Sequence, residues 1–291
     1  MAHQSGFVSI VGKPNVGKST LMNKLVGENL SIITAKAQTT RHRIMGILNG
    51  ADFQIVYSDT PGILEPKYDL HEAMMNYVQV SLEDADVILL VVELGEKFDQ
   101  TIMDRFKAIK TPIILVINKA DLGKGSQVED KMTYWKENFQ ASEIISVSAK
   151  SGENVSTILD LVKKYLPEHP GYYPKDTLTD RYERFFAAEI IREKIFMNYD
   201  QEIPYSCEVG IESFKDEEKI IKISAMIFVE RDSQKGIVIG KAGSSLKKVG
   251  SEARKDLESF FNKKVFLETR VKVADNWRKQ KTRLKQFGYL E

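Results

Sequence analysis

The chain has 291 residues, 42% hydrophobic and 29% charged, with a formal net charge of +1. That length accommodates two domains, and the composition is ordinary for a globular protein. No run of 18 apolar residues occurs, the start lacks a signal or transit pattern, and the lone Cys207 rules out an intramolecular disulfide framework. A cytoplasmic protein in a reducing compartment is therefore expected, with Cys207 as a small apolar strand residue.

Phe7–Val11 reads as a buried strand and Ser19–Val26 as a helix with one apolar face. Between them residues 12–19 read Gly-Lys-Pro-Asn-Val-Gly-Lys-Ser, a G-x-x-x-x-G-K-[ST] phosphate loop. Strand, glycine-bearing turn and helix N-terminus in that order form a cradle in which backbone N–H groups and the helix dipole meet an anion. Gly12, Lys13, Pro14, Asn15, Val16, Gly17, Lys18, Ser19 and Thr20 are the expected phosphate site. Lys18 is placed to reach the β- and γ-phosphates and the Ser19 hydroxyl to ligate Mg²⁺. Next comes Ala37-Gln38-Thr39-Thr40-Arg41-His42-Arg43. A switch segment needs a threonine that joins Mg²⁺ only while the γ-phosphate is present. Thr39 and Thr40 both qualify by type, and Thr40, beside the basic run, is the choice.

Arg43–Leu48 and Phe53–Tyr57 predict a hairpin around Asn49-Gly50-Ala51-Asp52. Asp59-Thr60-Pro61-Gly62 follows. Asp59 is expected to hold Mg²⁺ through water, and the Gly62 N–H to contact the γ-phosphate, which glycine allows by close backbone approach. His71–Leu82 has helical spacing, Val87–Val92 is a strand buried on both faces, and Asp99–Ile109 predicts a helix. Pro112–Ile117 is a second buried strand, ending in Asn118-Lys119-Ala120-Asp121. The Asp121 carboxylate can accept from the ring N–H and the exocyclic amine of guanine, donors that adenine does not present there, so Asn118, Lys119 and Asp121 point to GTP over ATP. Val128–Phe139 predicts a helix and Ile144–Val147 a short strand. Ser148, Ala149 and Lys150 then back the base with a main-chain N–H, before a closing helix at Val155–Tyr165. The first domain, residues 1–167, thus reads as a doubly wound α/β sheet with ligand loops at its strand ends.

Residues 168–176 continue a stretch with three prolines and a glycine in nine residues (166–174), a linker signal. Beyond it, in residues 177–291, the pattern changes: helix Tyr182–Tyr199, strands Tyr205–Phe214 and Lys219–Glu230, a helical turn Gln234–Ile239, helix Ser244–Phe261, strand Lys264–Val273 and a basic helix Asn276–Gln286. Tyr182, Phe185, Phe186, Ile190, Ile191 and Phe196 form a stripe read as core. Ile239, Gly240, Lys241, Ala242 and Gly243 hold a G-x-x-G turn, followed by Lys247 and Lys248. Residues 231–285 carry 16 basic against 6 acidic residues, which points to a polyanion partner or marks a solvated face. In a KH domain such a turn lets a nucleic-acid backbone pack on main chain while bases enter an apolar groove. Trp277, among basic residues, can stack on a base or pack against the sheet.

The nucleotide motifs resemble those of translation-factor-class GTPases, and Asp-Thr-Pro-Gly followed by Ile63, with Gln-Thr-Thr-Arg, resembles the Era family. The resemblance covers essentially the whole chain and implies a P-loop GTPase domain joined to a C-terminal α+β type II KH domain. It implies hydrolysis of GTP to GDP with Mg²⁺, with Lys18, Thr40 and Gly62 as the catalytic residues. It also implies 16S ribosomal RNA near its 3′ end and the small ribosomal subunit as partners, a role in subunit maturation, a monomer, and peripheral contact with the inner face of the cell membrane. Ile63 stands where Ras-like enzymes carry a water-orienting glutamine, and isoleucine cannot do that work. Asn15 matches a residue that helps hold an activating K⁺ in related GTPases, or is a loop residue chosen for backbone shape. The competing readings are a signalling GTPase whose C-terminal half binds protein or anionic membrane, and an ATPase.

Overall fold

The structure is a computed structural model that describes residues 3–290. The outer limits of the two expected domains, residues 1–2 and 291, lie outside the described residues. The chain divides into two units: residues 1–65 with 74–180, and residues 66–73 with 181–291.

In the first unit, β1 (Gln4–Val11) leads into α1 (Lys18–Val26), then into the β2 (Ile44–Asn49) and β3 (Phe53–Asp59) hairpin. After α2 (Asp69–Glu83), whose residues 69–73 belong to the second unit, come β4 (Val87–Glu93), α3 (Gln100–Met103), β5 (Ile113–Asn118), α4 (Gln127–Asn138), β6 (Glu143–Ser146) and α5 (Val155–Tyr165). The six strands lie in the order β2-β3-β1-β4-β5-β6, and only β2 is antiparallel to its neighbour. The central strands are β-branched and leucine runs because both faces are covered: every residue of β5 is buried. Val78, Met103, Phe106 and Trp135 pack with Ile88, Leu90, Leu115 and Ile117 on one side of the sheet. On the other side α1 and α5 lie together, burying Leu21, Met22, Ile158 and Val162. β1 lies between β3 and β4, so the chain winds outward in both directions from it, and the loop after β1 opens at the point where strand order reverses.

The helix expected over Asp99–Ile109 is only one turn long. It is capped by Asp99 and passes at Met103 into a 3₁₀ turn, Asp104–Phe106. Met103 at the end of α3 and Phe106 in the 3₁₀ turn are both buried. Pro112 then forces the residue before it out of helical space. Residues 168–176 pack against the first unit: Gln54 Oε1 accepts from the N–H groups of Tyr172 (2.6 Å) and Tyr173 (2.9 Å), and Ile47 N–H donates to Leu178 O (2.8 Å).

The second unit runs α6 (Glu183–Asn198), α7 (Ile203–Ser206), β7 (Glu208–Asp216), β8 (Ile220–Val229), α8 (Asp232–Ile239), α9 (Ser244–Phe260), β9 (Lys264–Val273) and α10 (Lys281–Gln286). β8 is central, antiparallel to β7 and parallel to β9. Alternate residues Ile221, Ile223, Ala225, Ile227 and Val229 face α6, α8 and α9, where Ile191, Ile195, Val238, Val249, Ala253 and Leu257 meet them. From the expected stripe Phe186, Ile191 and Phe196 are buried, whereas Tyr182 is 86% exposed at the helix start. The strand expected from Tyr205 begins at Glu208, because Pro204 at the start of α7 favours a helical turn.

Trp277 is fully buried and its indole N–H donates to Ser206 O (2.8 Å), so it packs in the core and cannot stack on a base. Anchoring it there also breaks the expected helix over Asn276–Gln286. Asn276 takes a left-handed turn, Trp277–Lys279 is 3₁₀, Gln280 is extended, and α10 starts only at Lys281.

Candidate functional site

The loops after β1, β3, β5 and β6 converge on one cavity of about 640 Å³ in the first unit. Its lining takes in Pro14, Asn15, Gly17, Lys18, Ser19 and Thr20 from the first loop, Thr39, Thr40 and Gly62 from the switch segments, and Asn118, Lys119, Asp121, Ala149 and Lys150 at the far end. Residues 130 positions apart therefore meet because parallel strands deliver their C-terminal ends to one edge.

Glycine is required at two points. Gly12 has φ +151°, and a Cβ there would lie 2.2 Å from Val91 O. Gly17 has φ +97°, and a Cβ would lie 2.2 Å from Asn118 Nδ2. Asn118 spends its amide on the frame: Nδ2 donates to Val16 O (2.8 Å) and Oδ1 accepts from Ala149 N–H (2.9 Å). It clamps the phosphate loop to the β6 loop, while Asp121 beside it stays exposed, with Ser148 Oγ donating to its Oδ1 (2.7 Å).

Lys18 is 6% exposed and its Nζ donates to Gly12 O (3.1 Å) and Lys13 O (2.8 Å). Burial lowers its pKa to about 8, against the opposing pull of the Asp59 and Glu96 carboxylates. A phosphate at Nζ favours the ammonium form, so nucleotide binding above this pKa must take up a proton. GTP affinity should be flat below pH 8 and fall by up to about tenfold per pH unit above it. Titration calorimetry in buffers of different ionisation enthalpy at pH 8.5 should show that proton uptake.

Next to Lys18, Ser19 Oγ donates to Asp59 Oδ2 (2.6 Å) and lies 2.9 Å from Thr40 Oγ1. Thr40 Oγ1 is 3.5 Å from the same carboxylate oxygen. Thr39 turns away: its hydroxyl donates to Lys36 O (2.8 Å) and lies 2.8 Å from Thr34 Oγ1. Asp59 is fully buried, and its Oδ1 has no hydrogen-bond partner among the described residues. Burial raises its pKa, opposed by the Ser19 hydrogen bond and the Lys18 charge. A buried carboxylate with an unused oxygen beside two hydroxyls is a donor set suited to a hard divalent cation, so these residues fit Mg²⁺.

Ile63 is buried in the core beside Val11 and Val78, and its N–H donates to Gly12 O (2.9 Å). A polar side chain at this position would be buried there, away from the cavity. Asn15 has φ +65° and its Nδ2 donates to Ala35 O (3.2 Å), so its side chain ties the phosphate loop to the switch segment.

Sequence reasoning missed the acidic partners of this site. Lys13 Nζ pairs with Asp99 (2.9 Å) and Glu96 (3.4 Å), and Lys119 Nζ pairs with Glu93 (2.6 Å). Burial alone would lower the Lys13 pKa, but these two carboxylates raise it on balance. Burial pushes Glu96 up. The one available signal was their place at the C-terminal end of β4, the same edge as the other loops. Arg43, likewise unassigned, is buried between Ser58 Oγ (2.6 Å) and Asp84 (2.6 Å), bracing the end of the switch segment.

In the second unit the expected turn joins α8 to α9. Gly240 (φ +71°), Ala242 (φ +51°) and Gly243 (φ +79°) all take positive φ, and none of the residues 241–243 is buried. Lys247 and Lys248 follow in the first turns of α9, and Lys248 is 4.0 Å from Glu252. Among the described residues no helix is long and apolar enough to cross a membrane.

A doubly wound sheet whose strand-end loops, the phosphate loop among them, frame one cavity, followed by a helix–strand–strand–helix–helix–strand unit with a G-x-x-G turn, defines a P-loop GTPase carrying a type II KH domain. Comparison with known proteins agrees in both halves. The family described as 50S ribosome-binding GTPase matches residues 7–119, and that described as KH domain matches residues 202–278. The chain is 44% identical over 293 aligned positions to GTPase Era of Staphylococcus haemolyticus (strain JCSC1435), covering 99% of this chain and 98% of that one. It also matches two solved structures, each with 39% identity, a TM-score of 0.94, and coverage of 99% of this chain and 100% of the other. One is Era in complex with MgGDPNP and nucleotides 1506–1542 of 16S ribosomal RNA, and the other a single-residue variant of Aquifex aeolicus Era bound to GDP·AlF4⁻. The chain belongs to the Era family of GTPases.

Proposed function

We propose that this GTPase is a switch that binds 16S ribosomal RNA near its 3′ end and assists maturation of the small ribosomal subunit. The observation that carries this is the full-length likeness to an Era bound to that RNA segment, in a chain whose second unit presents an exposed G-x-x-G turn. Residues 1–167 act as the catalytic domain and 177–291 as the RNA-binding domain. Lys18 and the loop N–H groups hold the phosphates. Ser19, Thr40 and, through water, Asp59 hold Mg²⁺, which bridges phosphate oxygens and offsets their charge. Thr40 rather than Thr39 is the switch threonine, because Thr40 faces Ser19 and Asp59. Gly62 contacts the γ-phosphate. Asn118, Lys119, Asp121 and Ser148–Lys150 hold guanine. Ile239–Gly243, Lys247 and Lys248 contact RNA. The protein works as a cytoplasmic monomer, and its basic C-terminal half gives it peripheral affinity for the membrane face.

Residues 66–73, directly after the Asp59–Gly62 loop, belong to the second unit. Within that unit Arg278 donates to Tyr68 Oη (3.2 Å) and covers the Tyr68 ring at 4.9 Å. Ordering of the loop by GTP is thus continuous in the chain with the RNA-binding half, and by linkage RNA and GTP affect each other's affinity by the same factor. Crosslinking RNA to the GTP-bound protein should recover the 16S 3′ end. Affinity for that RNA should be about 5- to 150-fold higher with a non-hydrolysable GTP analogue than with GDP. Equal affinities in both states remove the coupling.

Asparagine tolerates the left-handed φ of Asn15, and its Nδ2 is spent on Ala35 O while its side-chain oxygen can ligate a cation. We assign it to an activating K⁺ that supplies positive charge beside the phosphate loop, where charge develops in the transition state. Replacing K⁺ by Na⁺ should then slow hydrolysis about tenfold or more, with Asn15→Ala insensitive to the exchange. A rate indifferent to the exchange in the unaltered protein leaves Asn15 with its backbone role alone.

A further inference from the structure

The three-stranded sheet of the second unit has a second face that the G-x-x-G turn does not use. Strand alternation sends Val265, Leu267 and Val271 of β9 toward the helices and their neighbours the other way. The register sets Lys215 opposite Lys222, Lys222 opposite Phe266, and Met226 opposite Arg270. At one end this face is capped, where Phe287 meets Phe228 with ring centroids 4.9 Å apart. The rest lies open: Phe266 is 57% exposed, and the side chains of Lys222 and Arg270 are 49% and 60% exposed. Lys264 and Lys272 share the face, giving five basic side chains with Lys215, Lys222 and Arg270, against Glu268, Glu217 beside Lys222 and, at the β7 bulge, Glu212; Glu208, opposite Phe228, is buried at the capped end.

The exposed Phe266 ring has Lys222 across the strand pair and Lys264 two residues before it on the same face, with Glu268 two residues after it. Base stacking on an aromatic platform, with phosphates held by flanking lysine and arginine, uses both features, and open sheets in RNA-recognition domains bind single strands in this way. The two pairings on the face, Arg270 with Glu268 (3.0 Å) and Lys222 with Glu217 (2.8 Å), are exposed and weak, so a phosphate can replace either carboxylate. A G-x-x-G groove clamps only about four nucleotides. A longer RNA leaves the groove with bases and phosphates still to be placed.

We propose that the open sheet face, centred on Phe266 and Arg270 with Lys222 and Lys272 beside them, is a second RNA-contact surface. Phe266 stacks a base and the cations hold the adjoining phosphates. This rests on the reading of the second unit as an RNA-binding domain.

The test uses the full chain with Mg²⁺ and a non-hydrolysable GTP analogue. Two probes are needed: RNA spanning 16S nucleotides 1506–1542, and a short single strand of about four nucleotides that only fills the groove. Phe266→Ala combined with Arg270→Glu should weaken the long RNA about tenfold or more and lower the salt dependence of its binding. The short strand should bind as before. Phe266→Tyr, which keeps the ring, should retain affinity. Ultraviolet crosslinks to residues 264–273 should form with the long RNA and disappear in the double variant. Both side chains are exposed, so an unchanged melting temperature verifies folding. Gly243→Asp, in the groove, should weaken both probes. If it weakens neither while the sheet variant weakens the long RNA, the groove assignment fails and the sheet surface stands. If the sheet variant binds the long RNA like the unaltered protein, the proposal is overturned, whether or not that variant has lost a protein partner instead.

Discussion

Asp121→Asn should lose GTP affinity by about 10²–10⁴-fold and gain affinity for xanthosine triphosphate. Each hydrogen bond from a guanine N–H to the carboxylate is charge-assisted and contributes about 1.5–3 kcal/mol, and the substitution disturbs both. An amide offers one acceptor and one donor. Its NH₂ then faces the guanine amine, donor against donor, whereas xanthine carries a carbonyl there and accepts. The effect should stay local. Asp121 is exposed on the cavity wall, and the frame around it is held by Asn118, through Val16 O and Ala149 N–H, without help from Asp121. Ser148 Oγ, which now donates to Asp121 Oδ1, can donate equally to an amide oxygen. Competition binding with the two nucleotides measures the reversal. A variant that weakens both alike, or that leaves GTP untouched, would show that Asp121 does not read the base. An ATP-specific site would be indifferent to the change.

The order of strands and helices was legible because each element advertises itself over five to fifteen residues: continuous β-branched runs for β4 and β5, 3.6-residue spacing for α9, a glycine turn for the phosphate loop. The motifs were legible for a related reason. Each nucleotide motif is contiguous, and doubly wound topology brings their loops to one edge without any further information. What stayed hidden depends on partners distant in the chain. Lys13 meets Glu96 and Asp99 more than eighty residues away, so nothing near Lys13 announces an ion pair. Thr39 and Thr40 are chemically alike, and only the approach of Ser19 and Asp59 separates them. Trp277 sits in a basic stretch that suits RNA, yet the carbonyl of Ser206, distant in the chain, takes its indole N–H in the core. The same capture breaks the helix that its neighbours' composition suggests.

Gly240→Asp with Gly243→Asp should abolish most RNA binding, about a hundredfold or more, while GTP hydrolysis without RNA stays within about twofold. The turn exposes main chain, and it can do so because Gly240, Ala242 and Gly243 hold left-handed φ values. The two glycines are not equivalent. A Cβ on Gly240 would lie 2.2 Å from Ser245 Oγ, so a side chain there must displace the start of α9. A Cβ on Gly243 meets nothing within 4 Å, so aspartate at that position costs only the backbone strain, about 1–2 kcal/mol, and its carboxylate points into open solvent. Gly243→Asp alone therefore separates charge from folding. It sets a negative group in the path of the phosphates beside Lys241 while leaving the Ser245 side untouched. Gly243→Ala carries the same strain without the charge and should keep most of the affinity. If the two single variants weaken RNA equally, the turn acts through its shape. If the aspartate costs far more, electrostatic approach of the phosphates dominates. Retention of full RNA affinity by the double variant would exclude the turn from RNA binding altogether, and with it the assignment of Ile239–Gly243 as a contact.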